Sequence, residues 1–236
     1  MTTLEEIRRA LERLNLDGQY EIHHWLGNRI DSRYRSSGVK EPQPAYADPN
    51  PPIMTFDEFL EFAERSPLRY EYVNGIVHAM TGPSVAHCRI AGELFAIVHH
   101  HLQGGPCQAF ATGPNLQIRS KTDEIQYIPD LMVACNPDEW DADWVCNPKL
   151  VAEVLSPSTR KIDLREKSGN YRRVESIEEY LVLEQSKHEV TVFRRAEEWR
   201  GHVYRGVDAI AELRSIALSI PLTQIYEGAL PSHGPR

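Results

Sequence analysis

No stretch of the 236 residues is apolar for long enough to cross a bilayer, so a membrane-embedded role is not expected. A targeting signal is missing too: the opening MTTLEEIRRALERLN is charged and helical in pattern, and reads as neither signal nor transit peptide. Cysteine is scarce. The four present (Cys88, Cys107, Cys135 and Cys146) show no C-x-x-C spacing and fall in apolar or loop contexts. They read as reduced thiols, and a cytoplasmic location is expected. Positive charge is short as well, with 26 Lys and Arg against 34 Asp and Glu, a formal charge of −8. That balance argues against a general nucleic-acid binder, because phosphate contact needs local positive charge. Its distribution is uneven, however. The segment 160–173 carries Arg160, Lys161, Arg165, Lys167, Arg172 and Arg173 against only Asp163 and Glu166, while Asp138, Glu139, Asp141 and Asp143 make one acidic loop. No internal repeat is visible.

What is present suits one ordinary globular domain with attached sequence: 41% of residues are hydrophobic and 25% charged. Near the N-terminus, Thr3 and Glu6 make a capping box, and Leu4, Ile7, Leu11 and Leu14 share a helical stripe that needs a partner. The following SSGVKEPQPAYADPNPP forbids a helix or central strand, so residues 1–52 read as a helical appendage and linker. Thr55 and Glu58 cap a second helix that Ser66-Pro67 stops. RYEYVNGIVHAM alternates around Asn74-Gly75, a hairpin signal. Ser84 opens a long helix with Ile90, Leu94, Ile97, Val98 and Leu102 as its buried stripe. Strand-like runs CQAFAT, NLQIRS, IQYIPDLMVAC and KLVAEVLS follow, then a helix across Lys161 to Val174, then the strands EEYLVLE and EVTVFRR. This order predicts a mixed α/β single domain.

Three features carry chemistry. Glu153 interrupts a run that is otherwise apolar on both faces, and an ionised carboxylate there is costly unless paired or bound to a metal. A structural salt bridge to Arg160 or Lys167 would be the bland explanation. Asp130 follows Pro129 in the middle of a strand-like run, where proline implies a bulge or an edge. Alone it would read as an edge turn. Together with Glu153 and a backbone carbonyl it suits Mg²⁺ or Mn²⁺ with water positions left open. Asp163, Lys167 and Tyr171, at i, i+4 and i+8, share one helical face, a pattern that a surface ion pair would also give.

YEYVNGIVHAM, S-x-x-H at Ser84 and His87, YIPDLMV, LVAEVLSPST, D-x-x-x-K-x-x-x-Y and EEYLVL together resemble the Uma2 family of endonucleases (DUF820), common in cyanobacteria and part of the PD-(D/E)xK superfamily. The resemblance runs over about residues 53 to 228. It implies a restriction endonuclease-like mixed sheet flanked by helices over 53–228, leaving 1–52 outside and 229–236 as a tail. Asp130 matches the aspartate of the PD motif and Glu153 the next acidic residue, both metal ligands in the superfamily. The Val154 carbonyl would be the third ligand, and Glu71 matches the family's early glutamate, a further metal ligand directly or through water, which on strand pattern alone could equally be an exposed charge. Leu155 stands where the superfamily signature has lysine, and Lys167 is the candidate replacement. His87 also matches a family position, but in the first turn of a helix it reads as a capping or core residue. His99, His100 and His101 read as helix-end surface.

The implied activity is metal-dependent hydrolysis of phosphodiesters in DNA by a homodimer. Mg²⁺ or Mn²⁺ would be the cofactor, Asp130, Glu153, Lys167 and Glu71 the catalytic residues, and segment 160–173 the seat of the flanking phosphates. The competing reading is a catalytically inactive nuclease fold kept to bind DNA or a protein partner.

Overall fold

The computed structural model describes residues 53–230, except Thr81, Thr112, Thr122, Asp141, Ala142 and Ser158. The helix and linker expected within residues 1–52, and residues 231–236 of the expected tail, lie outside the described residues.

Local chemistry starts the elements. Thr55 Oγ1 accepts the Glu58 N–H while the Glu58 carboxylate accepts the Thr55 N–H, opening helix α1 (Phe56–Arg65). Asn74 and Gly75 both take positive φ, 47° and 98°. A turn of that hand matches strand twist and joins β1 (Tyr70–Val73) to β2 (Ile76–Ala79). Ser84 caps α2 (Val85–Leu102), whose Ile90, Leu94 and Val98 recur every four residues and are buried. Strands β3 (Gln108–Ala111), β4 (Asn115–Arg119), β5 (Glu124–Tyr127), β6 (Leu131–Ala134), β7 (Trp144–Val145) and β8 (Leu150–Leu155) follow. Helix α3 covers 160–173, with a π-helical stretch, Asp163–Lys167, between its two α-helical ends. The chain then forms β9 (Glu179–Glu184), β10 (Glu189–Arg194), β11 (Gly201–Arg205), β12 (Ile210–Leu213), β13 (Leu218–Pro221) and the short α4 (Leu222–Ile225). The elements after β10 carry no strong pattern in the sequence.

The strands form a five-stranded sheet, β2-β1-β5-β4-β7, a six-stranded sheet, β11-β10-β9-β8-β6-β3, and the β12-β13 pair. Within the larger sheet β8 and β9 are parallel and the other pairs antiparallel. The run IQYIPDLMVAC is two strands, not one bulged strand. Pro129 has no N–H to offer a ladder, and at this point the chain leaves the smaller sheet after Tyr127 and enters the larger at Leu131.

One face of the larger sheet (Leu131, Val133, Leu150, Ala152, Leu181) packs on α2, β12, β13 and α4. Its other face (Met132, Val151, Leu155, Tyr180, Val182) packs on Leu116, Ile125 and Tyr127 of the smaller sheet and on Tyr171 of α3. α1 covers the far side of the smaller sheet through Phe56, Phe59, Tyr72 and Val77. β8 is therefore central, and all six of its residues are buried, as its apolar run implied.

The cysteine expectation is corrected at one pair. Gln108 and Ala134 face each other at the end of the β3–β6 ladder, and one residue further on Cys107 and Cys135 are joined by a disulfide. Sequence spacing gave no sign of it, because the two lie 28 positions apart and meet only through strand register. No helix among the described residues is long and apolar enough to cross a membrane.

Candidate functional site

Glu153 sits in mid-β8 with 4% of its surface exposed. Its Oε1 accepts the Tyr171 hydroxyl at 2.8 Å and the Lys167 ammonium at 3.0 Å. Lys167 is buried as deeply, and its Nζ also lies 2.8 Å from Glu71 Oε1 and 3.6 Å from Asp163 Oδ1. Glu71 reaches in from β1 and is steadied by the Ile128 N–H at 3.1 Å.

Asp163 and Lys167 lie in the π stretch of α3 and, sharing one helical face, both point inward. The Ser168 N–H reaches back to the Asp163 carbonyl, widening the turn, and the Tyr180 hydroxyl donates to the same carbonyl at 3.0 Å. A purely superficial Asp163–Lys167 pair is thereby excluded.

Asp130 occupies the sheet-to-sheet junction. Leu131 pairs with Ala152, so one step beyond the ladder Asp130 falls opposite Glu153. It also falls on the same face, because Met132 and Val151, two residues from each, both belong to the core between the sheets. Asp130 Oδ2 accepts the Val154 N–H at 2.8 Å, and Oδ1 lies 2.8 Å from His87 Nε2.

The electrostatics follow from this crowding. Glu71, Glu153 and Asp163 converge around one ammonium, with Asp130 opposite Glu153. Burial pushes the Glu153 carboxyl well above the usual range; Lys167 opposes the rise, while Asp163, Asp130 and Glu71 add to it. Asp163 is likewise raised by burial against the pull of Lys167. Burial alone would lower Lys167, but Glu153, Glu71 and Asp163 outweigh it and hold the ammonium firmly protonated. The Tyr171 phenol is pushed up by burial and by Glu153, and so remains a donor.

Among the described residues, no three His, Cys, Asp or Glu side chains converge closely enough to hold an ion by themselves. The residues that could hold a cation are two carboxylates, Asp130 and Glu153, with a backbone carbonyl and water, a donor set of the kind Mg²⁺ accepts. The excess negative charge also favours a cation there.

Of the basic residues expected to face phosphate, most are engaged by other side chains of the protein. Arg160 is bonded to both oxygens of Glu184, and Lys167 is buried. Arg172 lies over Phe193 and Trp199, while Arg173 bonds Asp123 and Asn170. Lys161 and Arg165 are exposed. His87, Asp163 and Tyr171 join the cluster, although sequence analysis assigned none of them a catalytic or metal-binding role. For Asp163 and Tyr171 the i, i+4, i+8 spacing was the available signal. His101 Nε2 meets the Ile216 carbonyl at 2.8 Å and His99 stacks on Phe95, both remote from the cluster in sequence and contacts.

Comparison with known proteins agrees with this architecture. A solved structure described as a putative nuclease belonging to DUF820, from Anabaena variabilis, superposes with a TM-score of 0.62 at 18% identity, covering 75% of this chain and 99% of that one. Two proteins of Synechocystis sp. are similar in sequence, both described as uncharacterized. slr1290 is 31% identical over 180 residues, 75% of this chain and 93% of its own length. sll1609 is 27% identical over 146 residues, 61% of this chain and 81% of its own length. The profile of Uma2, described as "Putative restriction endonuclease", matches residues 56–223, and the chain belongs to that family.

Proposed function

We propose that this protein is a metal-dependent endonuclease that hydrolyses phosphodiester bonds in DNA. The observation that carries the reading is Lys167, buried and met by three carboxylates, Glu71, Glu153 and Asp163, with Asp130 opposite Glu153 beyond the neighbouring strand. Buried charge of one sign in such excess is costly, and a divalent cation offsets it.

Asp130 and Glu153 would hold Mg²⁺ or Mn²⁺ between them. The Val154 carbonyl is the third donor: in a strand the N–H and C=O of one residue point to the same edge, and the Val154 N–H faces Asp130. When bound, the ion supplies Lewis-acid polarisation of the scissile phosphate and lowers the pKa of water. Lys167, on a rigid helix, presents a permanent positive charge to the charge that develops on the phosphate. Glu71 holds Lys167 in place through its Oε1, and Tyr171 fixes the Glu153 carboxylate. Lys161 and Arg165 take flanking phosphates, and a two-fold dimer would let one protomer address each strand.

The test is a plasmid-nicking assay with Mn²⁺, with EDTA, and with Asp130→Asn. Nicking that needs the metal and is lost in the variant is expected. DNA binding without nicking at any metal concentration would leave only the inactive-module reading.

A further inference from the structure

His87 is the third residue of α2, and its backbone N–H satisfies the Ser84 cap at 3.1 Å. Any residue could provide that N–H, so capping does not account for the imidazole. The ring reaches away from its own helix and places Nε2 at 2.8 Å from Asp130 Oδ1. A carboxylate only accepts hydrogen bonds, so Nε2 carries the proton. The other nitrogen, Nδ1, is buried and has no hydrogen-bond partner among the described residues. A histidine kept for core polarity would satisfy both nitrogens. Here the ring forgoes one partner in order to meet Asp130.

The turn that carries His87 is itself fastened to the site. The Ser84 hydroxyl donates to Gln185 Oε1 at 2.5 Å, and the Gln185 amide donates to the Leu155 carbonyl at 2.6 Å. This bridge ties the start of α2 to the end of β8, two residues beyond Glu153. Asp130 is thus gripped from both sides, by the Val154 N–H on Oδ2 and by His87 on Oδ1. With both oxygens held, the carboxylate cannot rotate, and its remaining lone pairs keep one direction.

We propose that His87 is a positioning residue for Asp130, orienting its carboxylate to receive the divalent cation. This rests on the metal reading given above. The role belongs to the side-chain N–H, so a different side chain with a donor at the same reach should replace it.

The test is Mn²⁺ titration of the full chain, by calorimetry or by the paramagnetic resonance of the free ion. It uses wild type, Asp130→Asn, His87→Ala, His87→Phe and His87→Gln, with metal-free melting curves for each. Wild type should bind Mn²⁺ and Asp130→Asn should not. His87→Ala and His87→Phe should weaken binding by about 10–100-fold, while His87→Gln, which keeps a donor at that reach, stays within about threefold of wild type. Should the alanine variant fail to fold, phenylalanine against glutamine carries the comparison. Equal affinity in the His87 variants and wild type overturns the positioning role while leaving the metal site intact. Equal loss in the glutamine and phenylalanine variants assigns the ring to packing and overturns it as well. Failure of wild type to bind Mn²⁺ sinks the metal reading, and the inference with it.

Discussion

Lys167→Met isolates charge from volume at the centre of the site, because methionine keeps most of the buried stem and removes the ammonium. In the wild type that ammonium faces Glu71 at 2.8 Å, Glu153 at 3.0 Å and Asp163 at 3.6 Å. Removing one partner of a buried ion pair costs about 3–5 kcal/mol, because the other charge stays in place uncompensated. For a domain of this size, 3 kcal/mol lowers Tm by about 6–12 °C. The carboxylates can escape part of that cost by taking up protons, so the loss depends on pH. Glu153 already has its folded pKa raised by burial, against Lys167 and with Asp163, Asp130 and Glu71. A raised acid contributes stability that is full below its unfolded value of 4.5 and declines as pH rises through its folded value. Without Lys167 that folded value moves higher still, and the decline extends further up in pH. In EDTA the variant should therefore melt well below wild type at pH 8, and the gap should narrow at pH 5. Adding Mn²⁺ should narrow it at pH 8 too, since the ion replaces the missing charge. Melting curves at both pH values decide the matter. A variant within about 2 °C of wild type at pH 8 in EDTA, or a gap that widens toward pH 5, refutes the view that Lys167 compensates this cluster.

Four further outcomes follow from the same geometry. Affinity for Mn²⁺ should rise from pH 6 to pH 8 with release of protons, because the raised Glu153 carboxyl must ionise to bind; calorimetry in buffers of different ionisation enthalpy reads this, and a pH-independent Kd contradicts it. Cys135→Ser, or a reductant, should cost about 3–4 kcal/mol by reopening the 28-residue loop; identical melting with and without reductant would mean that the bond does not form in solution. Glu179 accepts Arg194 Nε, the N–H groups of Arg214 and Ser215 and the Ser215 hydroxyl, all away from the site, so Glu179→Ala should cost about 3–5 kcal/mol in urea unfolding, and a shift under 1 kcal/mol argues against the network. Lys161→Gln with Arg165→Gln should flatten the salt dependence of DNA binding by about 0.9 in log–log slope for each phosphate no longer neutralised, whereas Arg172→Gln, whose guanidinium rests on aromatic rings, should leave it unchanged.

Much of this arrangement was legible in the sequence where local chemistry decides structure. The caps at Thr55 and Ser84, the Asn74-Gly75 turn and the doubly buried β8 are each set by neighbours in the chain. Glu153 stood out because a charge in an apolar strand has no local excuse. Features set by tertiary register were not legible. Pro129 could mark a bulge or a break, and only the two sheets distinguish these. The Cys107–Cys135 bond depends on β3 and β6 being neighbours. The segment 160–173 looked like one basic face, yet helix geometry turns Lys167 into the core and lays Arg172 on Phe193. His87 was hidden for the opposite reason: its position in the chain suggested a cap, and its backbone does serve that cap, while its side chain answers to a residue 43 positions away.

The proposed displacement of the lysine from position 155 to Lys167 is intelligible in the same terms. A lysine at position 155 would share the Glu153 face of β8, two residues along, about 6.6 Å away at the strand rise, with a stem long enough to bring its ammonium back to the carboxylate. In this chain that position is Leu155, 5% exposed and packed in the core between the sheets. A charge there would have to leave that core or be paired within it. Mounting the lysine on α3 frees the strand position for packing and still brings Nζ to 3.0 Å from Glu153 Oε1. The exchange has an electrostatic consequence. A strand lysine arrives alone, whereas Lys167 brings Asp163 with it from the preceding turn, and both are buried. On the proposed reading of Lys167, one positive and one negative group are therefore added together, and the pair leaves the local charge balance as it was.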